Sequence, residues 1–172
     1  NPIGEICDLI AKCYDAKSGE VKFPGFYDDV LPVEQTELDN FVASGFTVEN
    51  FKCAHELHST RTEEAHDGAA RIWAKPTFEV HGITGGYSGP GVKTIVPHQA
   101  EAKISMRLVP NQDPDKIVAA LRKCVEAEGN GVELVREGTL RPFLGEFSGP
   151  YAEAAKAAMT AAFGVEPAFT RE

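Results

Sequence analysis

The sequence predicts an α+β fold: a ferredoxin-like two-layer sandwich, an antiparallel sheet with helices on one face, plus a helical insertion. Three observations predict it. Residues 100–108 alternate strictly: Ala100, Ala102, Ile104, Met106 and Leu108 share one face, and Glu101, Lys103, Ser105 and Arg107 share the other. Such a period of two marks a strand with one covered face and one polar face. A second alternating segment precedes it across the stretch GITGGYSGPG, with Phe78 and Val80 on one side and Thr77, Glu79 and His81 on the other. Helical patterns lie on both sides of this pair, an order that suits helices packed on one face of an antiparallel sheet.

The elements follow in order. Residues 1–16 read as a helix: Asn1 can cap it, Pro2 suits its first position, and Ile3, Ile6, Cys7, Ile10, Cys13 and Tyr14 form an apolar stripe. Ser18-Gly19 ends it, and 21–26 is a short extended segment broken by Pro24-Gly25. Three short helices over 33–43, 47–57 and 61–74 make the insertion, about 33–75, with breaks at Gly45 and Ser59-Thr60. After the strand pair, Asp113-Pro114 opens a helix with Ile117, Leu121, Cys124 and Val125 inward and Gly129 as its stop. Residues 132–135 and 139–147 are further extended segments. A last, alanine-rich helix runs from Tyr151 to Phe163, and 167–170 reads as a strand leaving the domain.

All of this fits one domain, 1–172. Seventeen Lys and Arg against 26 Asp and Glu give a net charge of −9. With no basic run, that balance argues against nucleic acid or an anionic membrane as partner. No apolar run approaches the ~18 residues of a membrane span, and no segment of these residues reads as a signal peptide. Cys7, Cys13, Cys53 and Cys124 form no CxxC pair, which reads as reduced, partly buried cysteines of a cytoplasmic protein. The chain opens on Asn-Pro without methionine and stops at Thr-Arg-Glu, ends that read as internal to a larger protein.

Four groups of residues could carry chemistry. His55-Glu56-Leu57-His58, with His66 nearby, would put two histidines on one helical face, but the spacing falls one residue short of HExxH. Asp28-Asp29 reads as a turn or cap. Ser88 lacks the GxSxG frame of a nucleophile, and the glycine loop lacks the GK[ST] of a phosphate-binding loop. Arg107 on the polar strand face, with Thr94 in the loop, could hold a carboxylate or an oxyanion. From spacing alone Arg107 could equally be a solvated charge or a partner of Glu101 or Glu79.

The block GPGVKTIVPHQAEAKISMRLVPNQDPDKI, with PGFYDDV at 24–30, RIWAKPTFEVHGITGGY at 71–87 and FGVEPAFTRE at 163–172, resembles the dimerisation, or lid, domain of the aminoacylase/carnosine dipeptidase superfamily of binuclear-zinc metallopeptidases. The resemblance spans the chain, loosely over 33–70. It implies a lid excised from a larger metal-dependent exopeptidase or amidohydrolase. Two divalent metals, usually zinc, and all their ligands would lie in a separate catalytic domain. The lid would mediate a homodimer and help bind a peptide or acyl-amino-acid substrate. By motif, Arg107 in KISMRLVP and Thr94 in VKTIVP correspond to the substrate-binding arginine and threonine. The family's lid histidine precedes the opening Asn-Pro and lies outside this sequence; His98 is not its substitute. The resemblance thus implies no catalytic residue and no metal ligand here, and an isolated chain that is inactive. The alternative is a free-standing α+β small-molecule-binding or regulatory module with the glycine loop as its site.

Overall fold

The polypeptide divides into two compact units, Asn1–Val30 with Pro76–Arg141, and Leu31–Lys75 with the stretch from Pro142 onward. The computed structural model describes residues 1–129 and 131–171. The first unit carries α1 (Pro2–Cys13), β1 (Thr77–Gly85), β2 (Ala100–Arg107) and α5 (Pro114–Ala127). The second carries α2 (Gln35–Ala43), α3 (Val48–Ala54), α4 (Ala65–Trp73) and α6 (Pro150–Phe163).

In the first unit, the Asn1 side chain accepts from the Ile3 N–H at 3.2 Å and starts α1. The helix stops earlier than residue 16 because Tyr14 turns extended and bridges Val21. β1 and β2 pair antiparallel, Thr77 opposite Arg107, Phe78 opposite Met106 and Val80 opposite Ile104. A bulge between Val80 and Gly82 leaves His81 as the extra residue, and Ile83 then falls opposite Ala102. The bulge therefore keeps Ile83 on the apolar face, where an unbroken period of two would have sent it to the polar one.

That apolar face is covered by α1 and α5. Phe78 packs with Cys13, Val21, Phe23, Phe26, Ile117, Leu121 and Val125 in one buried cluster. Tyr14 stacks on Phe78 with ring centroids 5.5 Å apart, and Phe23 meets both Phe78 and Phe26 edge-on. Cover thins toward the loop: Phe78 is 1% exposed, Val80 36% and Ile83 44%. The α+β layering expected from sequence is present, with a two-stranded sheet among the described residues.

Several expected strands are not there. Val132 and Leu134 do pack against the core and alternate with the exposed Glu133 and Val135. No neighbouring backbone closes a ladder on them, and without one the alternation is not a strand. Residues 139–147 form no strand either, and Leu140 and Phe143 are almost fully exposed. The tail 167–170 is held by α2 instead: Asn40 donates to the Phe169 carbonyl, and Arg171 forks onto both Glu37 oxygens at 2.6 Å. Residues 21–26 contribute one bridge and two buried rings, not a strand.

The second unit is organised by Phe41, Ala69 and Ala74, with Val33, Leu38, Phe46 and Trp73 around them. Its helices are shorter than their sequence patterns: Glu64 accepts from the Asp67 N–H and fixes the start of α4, and Thr47 accepts from the Asn50 N–H at the start of α3, which ends at Ala54, ahead of Glu56 at φ 53°. Asp67 in turn accepts from Arg71 at 2.8 Å and pairs with Lys75 at 2.7 Å. The Arg71 bond, then the Lys75 bond, lowers its pKa from 3.8 to about 2. A depressed carboxyl pKa adds stability that is full above 3.8 and fades as pH falls toward about 2. Asp67 is one-third exposed, so solvent screens much of the effect. Asp67→Asn is expected to lower urea-denaturation stability by less than ~1 kcal/mol at neutral pH. The gap between variant and parent should close as pH is taken from 3.8 to about 2.

Candidate substrate-binding face

Strand pairing aims one row of side chains away from the core. Thr77, Glu79 and Thr84 of β1 lie opposite Arg107, Ser105 and Glu101 of β2. Arg107 ends this row. It is exposed, and no hydrogen bond or ion pair joins its side chain to a described residue. The partners considered from sequence do not take it: Glu101 pairs with Lys103 at 3.7 Å, and Glu79 belongs to the Ser105 rung. A fork of donors is thus presented to solvent from a rigid ladder, the geometry that matches a carboxylate.

The backbone just beyond Arg107 is fixed by Gln112, the single buried polar side chain among the described residues. Its Oε1 accepts from the Val109 N–H at 2.8 Å, and its Nε2 donates to the Phe26 carbonyl at 2.7 Å. Asn111, at φ 77°, donates to the Asp29 carbonyl at 2.9 Å. Asp29 also holds Lys116 at 2.8 Å, and Asp28-Asp29 lies in the turn that the Val30 N–H closes on the Tyr27 carbonyl at 3.0 Å. Gln112→Ala would leave a buried N–H and a buried carbonyl without partners. A loss of ~1–3 kcal/mol is expected by urea denaturation.

Thr94 sits exposed in the loop 86–99. No hydrogen bond joins it to Arg107, and the ladder places Arg107 at the opposite end of β2 from the loop's attachment. The loop's base is tight: a side chain on Gly85 would meet the Ala100 Cβ at 3.1 Å and Ile3 of α1 at 3.2 Å. Gly86 has φ +70°, and a Cβ there would meet Ile3 at 3.1 Å. Above that base, the Lys93 ammonium lies over the Tyr87 ring at 5.6 Å, and the Tyr87 hydroxyl donates to the Pro90 carbonyl. Val92, Ile95 and Val96 flank Thr94 and are 93%, 57% and 70% exposed.

The remaining candidates separate. His55 caps the end of α3 and packs on the Phe51 ring at 4.4 Å, and Glu56 follows at φ 53°. The HELH motif therefore straddles a helix terminus and shares no face. His66 pairs with Asp39 at 3.0 Å. Among the described residues, no group of three or more His, Cys, Asp or Glu is placed to hold a metal ion. Ser88 and His98 are exposed loop residues. Sequence reasoning gave His81 no role, yet its Nε2 meets the Ser105 hydroxyl at 2.5 Å, on the same polar row as Arg107. Two successive residues breaking the alternation at His81-Gly82 were the signal for that bulge.

With this geometry in view, the chain belongs to the peptidase dimerisation domain family, whose pattern matches residues 1–133. It is 25% identical to the Beta-Ala-His dipeptidase of Homo sapiens over 99% of this chain and 35% of that protein. It is 27% identical to the Cys-Gly metallodipeptidase DUG1 of Saccharomyces cerevisiae, over 99% of this chain and 37% of that protein. Among solved structures, an M20 family metallo-carboxypeptidase, Sso-CP2, from Sulfolobus solfataricus superposes with a TM-score of 0.90. It shares 33% identity over 98% of this chain and 38% of that one. Human carnosine dipeptidase 1 superposes with a TM-score of 0.79 at 25% identity, over 99% of this chain and 37% of that one. The chain thus spans little more than a third of the relatives it matches. The family match supports the dimerisation-domain reading and gives no support to the alternative of a small-molecule-binding or regulatory module.

Proposed function

We propose that this chain is the lid and dimerisation domain of a metal-dependent exopeptidase or amidohydrolase, and that Arg107 binds the terminal carboxylate of its substrate. The observation that carries this is the unpartnered guanidinium held on the polar face of the hairpin, in a domain of this family. Two charge-assisted N–H···O bonds would fix the carboxylate's position and orientation together. Thr94 would add a neutral hydrogen bond. The link from Thr94 to Ala100 can reach back along β2 by up to ~20 Å, so the loop can bring the hydroxyl to the same ligand. The exposed Val92, Ile95 and Val96 beside it are suited to excluding water when the lid closes.

DUG1 is a metallodipeptidase and Sso-CP2 a metallo-carboxypeptidase by name, and no group of three or more His, Cys, Asp or Glu among the described residues is placed to hold a metal ion. Two divalent metals, zinc by family habit, belong in this reading to a catalytic domain outside the 172 residues, and the isolated chain does not hydrolyse peptides. The working assembly is a cytoplasmic homodimer acting on dipeptides or acyl-amino acids.

The test is hydrolysis of a panel of dipeptides and acyl-amino acids by the whole protein, with and without chelator. Activity that is lost on chelation and restored by a divalent metal is expected. Chelator-insensitive hydrolysis, or none on any member of the panel, would overturn the reading.

A further inference from the structure

We propose that Cys13 and Cys124 form a redox-addressable pair that closes a disulfide between α1 and α5. Cys13 is the last residue of α1, and Cys124 lies near the end of α5. Their sulfurs are 3.5 Å apart across 111 positions of sequence, and both thiols are free. A disulfide brings the sulfurs to about 2.05 Å, so closing the bond asks for an approach of roughly 1.5 Å. The flanking backbone is already held in register. Lys12 of α1 pairs with Glu128 at the end of α5, and the Cys13 carbonyl accepts from the Lys22 N–H at 2.7 Å. Cys13 belongs to the same buried cluster as Phe23, Leu121 and Val125, and Cys124 packs against that cluster.

The two thiols are unequal, which sets the order of events. Cys13 is 2% exposed, and burial together with the neighbouring Cys124 thiol pushes its pKa up to about 12. Cys124 is half-buried and so the less enclosed of the two. The oxidant class is a hydroperoxide. Cys124 loses its proton, its thiolate sulfur attacks one peroxide oxygen and the O–O bond breaks; with hydrogen peroxide the products are a sulfenic acid and a hydroxide, which takes up the proton that the thiol released and leaves as water. The Cys13 sulfur then attacks the Cys124 sulfur. The S–O bond breaks, and the departing hydroxide leaves as water with the Cys13 proton. Peroxide gains the two electrons that the two thiols lose. Cys7 and Cys53, both exposed, have no sulfur neighbour among the described residues, so the partner that turns oxidation into a cross-link is particular to this pair. The bond would tie together the two helices that cover the sheet, and so suppress openings that part α1 from α5.

The test uses the whole protein carrying Cys7→Ser and Cys53→Ser, treated with hydrogen peroxide, alkylated and mapped by peptide mass spectrometry. The expected result is a linked Cys13–Cys124 peptide that dithiothreitol reverses, with both thiols disappearing at one rate. A higher Tm for the oxidised form than for the reduced form is expected, and Cys124→Ala should abolish both effects. Two outcomes overturn the proposal: Cys124 passing to sulfinic acid while Cys13 remains alkylatable after unfolding, or Cys13–Cys124 links that form only after unfolding. Should the serine background fold poorly, the same map on the wild-type protein decides between these results.

Discussion

Arg107→Ala in the whole protein is expected to lower the proposed peptidase activity, read as kcat/KM, by ~2–4 kcal/mol, roughly 30- to 1000-fold, if Arg107 acts like a single preorganised donor to a charged group. The arginine stands at the end of β2, opposite Thr77, and spends its guanidinium on no described neighbour. Its removal therefore breaks no internal bond, so folding stability should stay within ~0.5 kcal/mol of the parent. That separation makes the variant informative: a kinetic defect in an equally stable protein locates the loss in substrate binding. Arg107→Lys keeps the charge but loses the planar fork, and should recover only part of the activity. A variant with near-normal kcat/KM would remove Arg107 from the site.

The largest expected effect on stability comes from the opposite face of the same hairpin. Phe78 is 1% exposed, stacked on Tyr14 and packed edge-on to Phe23. It belongs to the cluster that joins α1, β1 and α5. Phe78→Ala removes the ring from all three and leaves a cavity that rigid neighbours cannot fill. A cost of ~3–5 kcal/mol is expected in urea denaturation. Phe78→Leu should lose clearly less, because it keeps most of the apolar volume. Equal losses for the two variants would mean that the cluster collapses around either change and that the core is less tightly packed than the geometry implies.

The hairpin was the most legible part of the sequence, because alternation is a local property and the two strands pair with each other. Ala100 to Met106 and Thr77 to Val80 fall on the faces their periodicity assigns. The helices were legible for a similar reason: Asn1 and Asp113 cap the elements they precede. What depends on a distant partner was not. Val132 and Leu134 show the same alternation as β2, yet a ladder requires a neighbouring backbone that residue spacing does not reveal. Cys13 and Cys124 meet only because α1 and α5 cover one sheet. The bulge that sets His81 beside Ser105 appears only once β1 has a register.

The site divides along the same line. The polar row was visible in the alternation of Glu101, Lys103, Ser105 and Arg107, and the family resemblance singled out one member of it. Whether Arg107 was neutralised by Glu101 or Glu79 was not visible, since those contacts depend on rotamers and cross-strand register. The metal-like HELH stretch shows the converse. Its spacing invited a shared helical face, but α3 ends at Ala54 and Glu56 adopts a left-handed turn, so the two histidines diverge.

The central claim, that Arg107 is a clamp for the substrate carboxylate, is tested most directly by a thermodynamic cycle. The kcat/KM values of wild type and Arg107→Ala are compared on a dipeptide and on the same dipeptide with its C-terminal carboxylate replaced by an amide. If the guanidinium meets the carboxylate, amidation should cost the wild type a large factor and the variant little, because the two changes remove the same interaction. If amidation costs wild type and variant by the same factor, the arginine and the carboxylate do not meet, and the account is contradicted.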